Sequence, residues 1–239
     1  MPGLGTIINC AGVIGGGLLG LLFGKLLKEK VRDILITASA VAVVFIGISG
    51  CLKEMLVVEN NSVSTQGAMM LIVSLVLGGF IGEIIDIDKG IEKFGEFLKR
   101  KTGSQNDGNF VGGFVSTSVT ISIGAMAVIG PFQDALEGNI DTLVAKTILD
   151  TIMVMSMTSA LGKGCIFSVI PVAVIQGGFT AFAKLLEPIM TDTALSNINL
   201  VGSVLIFCIG LNLLRDKRIK VANMLPALII AVIWAYLPF

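Results

Sequence analysis

The sequence predicts an all-α integral membrane protein of about eight transmembrane helices, and three observations lead to that fold class. Of its 239 residues, 54% are hydrophobic and only 14% are charged, with a mean hydropathy of +0.92. An ordinary soluble domain is roughly 25% charged. Its apolar runs approach the roughly 20 residues that a helix needs to cross hydrocarbon. They are continuous rather than alternating, which excludes a β-barrel. Finally, the basic residues cluster in every second loop, as the two sides of a bilayer require.

Taken in order, the apolar segments lie near 5–24, 34–52, 68–85, 110–132, 147–161, 165–183, 199–214 and 222–237. The chain opens MPGLGTIIN, without the basic start and small-residue cleavage site of a signal peptide, so the first segment is expected to stay. Residues 88–101 place Ile91, Phe94, Phe97 and Leu98 on one helical face with Lys on the other. That pattern suits either a helix lying on the cytoplasmic surface or a charged linker helix. Residues 102–109, TGSQNDGN, form a turn-rich link. One transmembrane domain, 1–239, is thus divided into helices 1–3 (1–87), the amphipathic helix and linker (88–109), helices 4 and 5 (110–162) and helices 6–8 (163–239). The fifth segment is short and meets the sixth at Leu161-Gly162-Lys163-Gly164. The two either cross fully or enter as half-helices, a form tolerated only where protein or water surrounds it.

Assigning alternate loops puts fourteen of the 17 basic residues, in the stretches 25–32, 89–101, 163 and 215–220, on one side. Only Lys53, Lys146 and Lys184 fall on the other. The expected arrangement is a multi-pass protein of a bacterial inner membrane with both termini outside.

The formal net charge is zero, which gives no reason to expect nucleic acid as a partner. Histidine is absent, so no Ser-His-Asp triad is available, and neither HExxH nor a phosphate-cradling loop occurs. The four cysteines form no CxxC pair and read as buried thiols. An enzyme is not expected, and no cofactor or metal is implied. The expected partners are the lipid bilayer, a small solute or ion, and a second copy of the chain, since 29 glycines permit close helix packing.

Val13-Ile14-Gly15-Gly16-Gly17-Leu18-Leu19 resembles Val174-Ile175-Gln176-Gly177-Gly178-Phe179-Thr180, and Val44-Phe45-Ile46-Gly47 resembles Phe207-Cys208-Ile209-Gly210. Helices 1–3 then match helices 6–8. An odd number of crossings separates them, so the repeat is inverted, an arrangement that transporters use to open one midplane site to either side. Gln176 stands where the repeat places Gly15, and is expected at the same interface.

Two regions carry candidate chemistry. The fourth segment is dense in hydroxyls; these either let helices pack closely or, with an unwound stretch near Gly124, let Thr120 and Ser122 line a polar path. In the fifth, Asp150 lies about one turn inside the apolar run with Lys146 four residues earlier on the same face. An ionisable residue in hydrocarbon points to a functional site, while an ion pair near the outer interface explains the same spacing structurally. Asn9 and Gln176 are further polar residues in apolar segments. The candidate substrate or ion site is therefore Asp150, Lys146, Ser122, Thr120, Gly124, Gln176 and Asn9.

The run Gly124-x-Met126-Ala127-x-x-Gly130, followed by Asp134, Lys146, Asp150, Leu161-Gly162-x-Gly164-x-x-Phe167-Ser168-x-x-Pro171-Val172 and Gln176-Gly177, resembles domain-of-unknown-function family 554. Gly5-Thr6-x-x-Asn9 and Asn223-x-x-Pro226-Ala227 extend the resemblance over nearly the whole chain. Ser122 and Ile166 depart from the pattern, standing where a small residue such as Cys and a Val are expected. The resemblance implies a multi-helix bacterial inner-membrane protein and supplies no substrate. A transporter of a small solute or ion, with its site in helices 4 and 5, is the expected function. The alternatives are a channel-like or oligomeric membrane protein, or a membrane scaffold that transports nothing.

Overall fold

The computed structural model describes residues 2–26, 29–59, 62–122, 126–214 and 219–237. Its helices are α1 (Leu4–Leu26), α2 (Glu29–Met55), α3 (Ala68–Ile85), α4 (Ile87–Lys101), α5 (Phe110–Ser122) and α6 (Met126–Leu136). They continue with α7 (Asp141–Leu161), α8 (Val169–Ala181), α9 (Ala183–Leu186), α10 (Asp192–Leu214) and α11 (Pro226–Trp234). A 3-10 turn, Lys163–Ser168, leads into α8, and another, Val221–Met224, leads into α11. All eight expected segments fall on this helical framework.

Among the described residues, five helical stretches are long and apolar enough to cross a membrane: Leu4–Phe23, Ala68–Ile85, Asp141–Leu161, Lys163–Ala181 and Asp192–Asn212. The fourth expected segment instead comprises α5 and α6, whose axes turn through 87°, and makes a sixth span if the two are one. The last is the shorter apolar stretch Val221–Trp234. The second expected segment lies within the 27-residue α2. The fifth and sixth, met as candidate half-helices in the sequence, are each of spanning length.

An antiparallel hairpin, β1 (Leu56–Glu59) and β2 (Ser62–Thr65), joins α2 to α3, pairing Leu56 with Thr65 and Val58 with Val63. Hydropathy overlooks it because four-residue strands are too short to alternate visibly between two long apolar runs.

The chain folds into two compact units, residues 1–40 with 90–186, and residues 41–89 with 187–239. In the first, α1 and α7 are packed along their length. Gly12, Gly16 and Gly20 recur every four residues on one face of α1. A methyl group at Gly16 would strike the Thr151 carbonyl, and one at Gly20 the Met155 carbonyl. Removing the side chains lets the two backbones meet, which is how membrane helices gain packing where water offers no driving force. The Phe110 and Phe167 rings, 5.4 Å apart, and Gly164, seated against the Phe110 carbonyl, hold the 3-10 turn to α5.

The second unit has its own core of Met70, Leu200, Val201, Ala227 and Ala231. Gly78 lies against the Ala227 backbone and Gly47 against that of Phe207. Glu54 accepts hydrogen bonds from Ser196 (2.6 Å) and Asn199 (3.2 Å), so the end of α2 is tied to α10. Asn223 accepts from the Asp88 backbone N–H at 2.6 Å and donates to Glu83 at 2.6 Å, joining the turn before α11 to the end of α3.

Candidate functional site

Asn139 starts α7 by accepting the Asp141 backbone N–H at 2.9 Å, and Gly138, with φ of 71°, makes the preceding turn. An Asn side chain replaces a missing helical partner for one of the first N–H groups, and glycine adopts that backbone without strain. The helix therefore begins at Asp141, six residues before the apolar run does. As a consequence Asp150 sits close to half-way along a 21-residue helix, about 14 Å from its start at 1.5 Å per residue. The sequence places it one turn inside the apolar run; the helix places it nine residues from its own start.

Lys146 and Asp150 are each 6% exposed. The Lys146 Nζ donates to Asp150 Oδ1 at 2.9 Å, to Asp150 Oδ2 at 2.7 Å and to the Ile121 carbonyl at 2.7 Å. All three ammonium hydrogens are thereby used. Ile121 lies in the last described turn of α5. Asn9, fully buried on α1, donates its Nδ2 to Asp150 Oδ2 at 3.0 Å. Three helices thus converge on one ion pair, and a charged pair removed from water needs such extra hydrogen bonds to offset its desolvation.

The 3-10 turn and α8 run antiparallel to α1. Gly3 faces Thr180 at one end, Gly17 meets Ile166 at the other, and Cys10 and Val13 pack with Val169 and Val172 between them. This register sets Gln176, 1% exposed, level with Thr6 and Asn9. Both polar atoms of Gln176 are buried without a hydrogen-bond partner, as are Asn9 Oδ1, Thr6 Oγ1, Thr180 Oγ1, Ser118 Oγ and Ser122 Oγ. Among the described residues, every such atom lies in the first unit. Buried polar groups are normally paired, so these atoms set the first unit apart from the second.

Of the residues singled out in the sequence, the structure joins Asp150, Lys146 and Asn9 directly. Ser122 follows Ile121 on α5, and Gln176 lies on α8 at the level of Asn9 on α1. Thr120 donates to the Ser116 carbonyl at 2.7 Å within its own helix. Its hydroxyl hydrogen is therefore spent locally. Gly124 lies outside the described residues. Gly15, the proposed counterpart of Gln176, has nothing within 4 Å of a methyl group placed on it, whereas Gln176 is buried. Gly12, Gly16 and Gly20, not Gly15, form the face of α1 that meets α7.

Two contributors escape the sequence reading of the site. One is the Ile121 carbonyl, a backbone acceptor that no side-chain pattern announces. The other is Asp134 on α6, 2% exposed, whose Oδ2 accepts the Gly5 backbone N–H at 2.8 Å while Oδ1 has no partner. A carboxylate at the N-terminal end of α1 is favoured by the helix dipole. The fourth apolar run stops at residue 132, so Asp134 reads as loop, although α6 continues to Leu136. Among the described residues, no three His, Cys, Asp or Glu side chains are grouped to hold a metal ion.

The family described as "Protein of unknown function (DUF554)" matches residues 4–236. The chain belongs to this family. It is 29% identical over 226 residues to the Uncharacterized membrane protein YdfK of Bacillus subtilis, covering 95% of this chain and 93% of that one. It is 27% identical over 232 residues to the Uncharacterized protein YqgA of Escherichia coli, covering 95% and 94% respectively. No solved structure matches it. With its apolar helices and these relatives, this DUF554 chain is an all-α integral membrane protein.

Proposed function

We propose that the protein transports a small solute or ion across a bacterial inner membrane, through a site centred on Lys146 and Asp150. One observation carries the reading: a buried acid–base pair half-way along a helix of spanning length, tied to two other helices, in a unit that also buries unpartnered amides, hydroxyls and a carboxylate oxygen. Ionisable groups within membrane segments are rare and concentrate on substrate and proton pathways. A pair that served only to join helices has no need of unpaired polar atoms beside it. The broken fourth segment adds support, since interrupted helices in membrane proteins free backbone carbonyls where they line a cavity.

The proposed topology is eight crossings with both termini outside, the basic loops being cytoplasmic. Helices 1–3 and 6–8 as an inverted repeat accord with it, because an odd number of crossings separates them. The protein is proposed to carry out no catalysis of its own.

The test is protein-dependent flux in proteoliposomes for a panel of radiolabelled probes: sodium, rubidium, chloride, glycine, erythritol and acetamide. Saturable entry of at least one, above protein-free vesicles and reduced at least tenfold by Asp150→Asn, is expected. Entry of none, or entry unchanged in Asp150→Asn, contradicts the proposal.

A further inference from the structure

The open valences that α1, α5 and α8 offer in the first unit are all uncharged; the unpaired Asp134 Oδ1 lies on α6, its carboxylate held by the Gly5 N–H at the start of α1. Lys146 has spent its three hydrogens, and Asp150 accepts from Lys146 through both oxygens and from Asn9 through one. The pair is internally neutral and hydrogen-bonded. Unpaired on α1, α5 and α8 are, among others, an amide oxygen of Asn9, the amide oxygen and nitrogen of Gln176, and the hydroxyls of Thr6 and Ser122. Asp150 also fixes which way Asn9 faces: by accepting from Nδ2 it leaves Oδ1 as the atom presented to a ligand.

From this we infer that the solute is a small uncharged molecule carrying both hydrogen-bond donors and acceptors, read by Asn9 and Gln176 where α1 and α8 face each other, with the Lys146–Asp150 pair as a fixed neighbouring wall. The inference rests on the transport reading above and narrows it. A bare cation competing for Asp150 has to displace the Lys146 ammonium and leave it uncompensated in a buried place; a bare anion drawn to Lys146 strands the Asp150 carboxylate in the same way. Both outcomes are strongly unfavourable. An ion is also a poor match for a set of partners that includes donors and acceptors together. Gln176 alone presents both, and a polyol or a primary amide pairs with each without disturbing either charge. Leaving a buried amide unpaired is costly, so a site of this composition discriminates for solutes that fill its valences and against apolar ones of the same size.

The experiment uses the full-length protein in proteoliposomes and reads solute entry by stopped-flow light scattering for acetamide and erythritol. Radiotracer entry is read for sodium, rubidium, chloride and glycine. Expected are saturable entry of acetamide or erythritol, no saturable entry of the three ions, and a rate insensitive to added sodium chloride at equal osmolarity. Gln176→Met, which keeps length and removes both polar atoms, is expected to lower the rate at least tenfold at an unchanged melting temperature. If Gln176→Met does not fold, Asn9→Leu and the salt insensitivity of the wild-type protein carry the test. Saturable entry of an ion or of glycine alone overturns the uncharged-solute inference and leaves transport standing. Acetamide or erythritol entry unaffected in both folded variants overturns the assignment to Asn9 and Gln176. Entry of no probe at all removes the transport reading itself.

Discussion

Asn9 on α1 and Asp150 on α7 are 141 residues apart in the chain, and their side chains meet at 3.0 Å with both residues buried. That hydrogen bond lies on the same pair of helices as the glycine seam, so the close approach of Gly12, Gly16 and Gly20 to α7 is what brings Asn9 within reach. Packing and polarity in the first unit are therefore one design: remove the side chains on one face of α1, and a polar residue one turn earlier on that same face meets the charged pair.

The pair has a double-mutant signature. Lys146→Met leaves an unpaired carboxylate and Asp150→Leu an unpaired ammonium, each destabilising by about 3–5 kcal/mol. Lys146→Met combined with Asp150→Leu leaves no buried charge and is expected to be less destabilised than either single change. Equilibrium unfolding in mixed micelles measures all three.

Glycines of α1 divide by face. Gly16→Val drives a side chain into the Thr151 carbonyl and is expected to destabilise by about 1–3 kcal/mol or to push the helices apart. Gly15→Ala meets nothing within 4 Å and removes a flexible helix-interior glycine, so its melting temperature is expected to hold or rise.

Asn223 is a junction in the second unit. Asn223→Ala strips a partner from the Asp88 N–H and another from Glu83, at an expected cost of about 1–3 kcal/mol. Beside it, the hydrogen bond from Lys220 to Glu83 raises the lysine pKa above its ordinary 10.5. A raised folded-state pKa means that this stabilisation is complete below 10.5 and is lost as pH climbs through the higher value. At pH 9 Lys220 is therefore expected to be acylated more slowly in the wild-type protein than in Glu83→Gln, as read by mass spectrometry.

Topology is checked by cysteine labelling in intact bacterial cells. A cysteine replacing the exposed Pro2 is expected to react with an impermeant maleimide, and one replacing the exposed Lys101 to react only after permeabilisation. The opposite pattern inverts the proposed orientation.

The helical framework was legible because runs of uncharged residues have one stable form in hydrocarbon. Lys146 and Asp150 were legible too, since two opposite charges four residues apart on a helix face each other. Their place along the helix was not, because the apolar run opens only after Lys146 while Asn139 and Gly138 start α7 at Asp141. The Ile121 carbonyl, which accepts from Lys146, has no side-chain signature. Asp134 was hidden by the same end effect, in a polar half-turn of α6. Gln176 was visible as a polar residue in an apolar run, but its partner surface on α1 follows from an antiparallel register that Gly3, Gly17 and their neighbours reveal only when folded.

The account stands most directly on one rate. Lys146→Met with Asp150→Leu keeps a packed, neutral interior but abolishes the pair and the hold on Asn9, so uptake of any probe that the wild-type protein carries is expected to fall at least tenfold while the melting temperature stays within a few degrees. Wild-type uptake by that folded double variant would mean that the pair only fastens helices together, and would contradict the placement of the transport site around it.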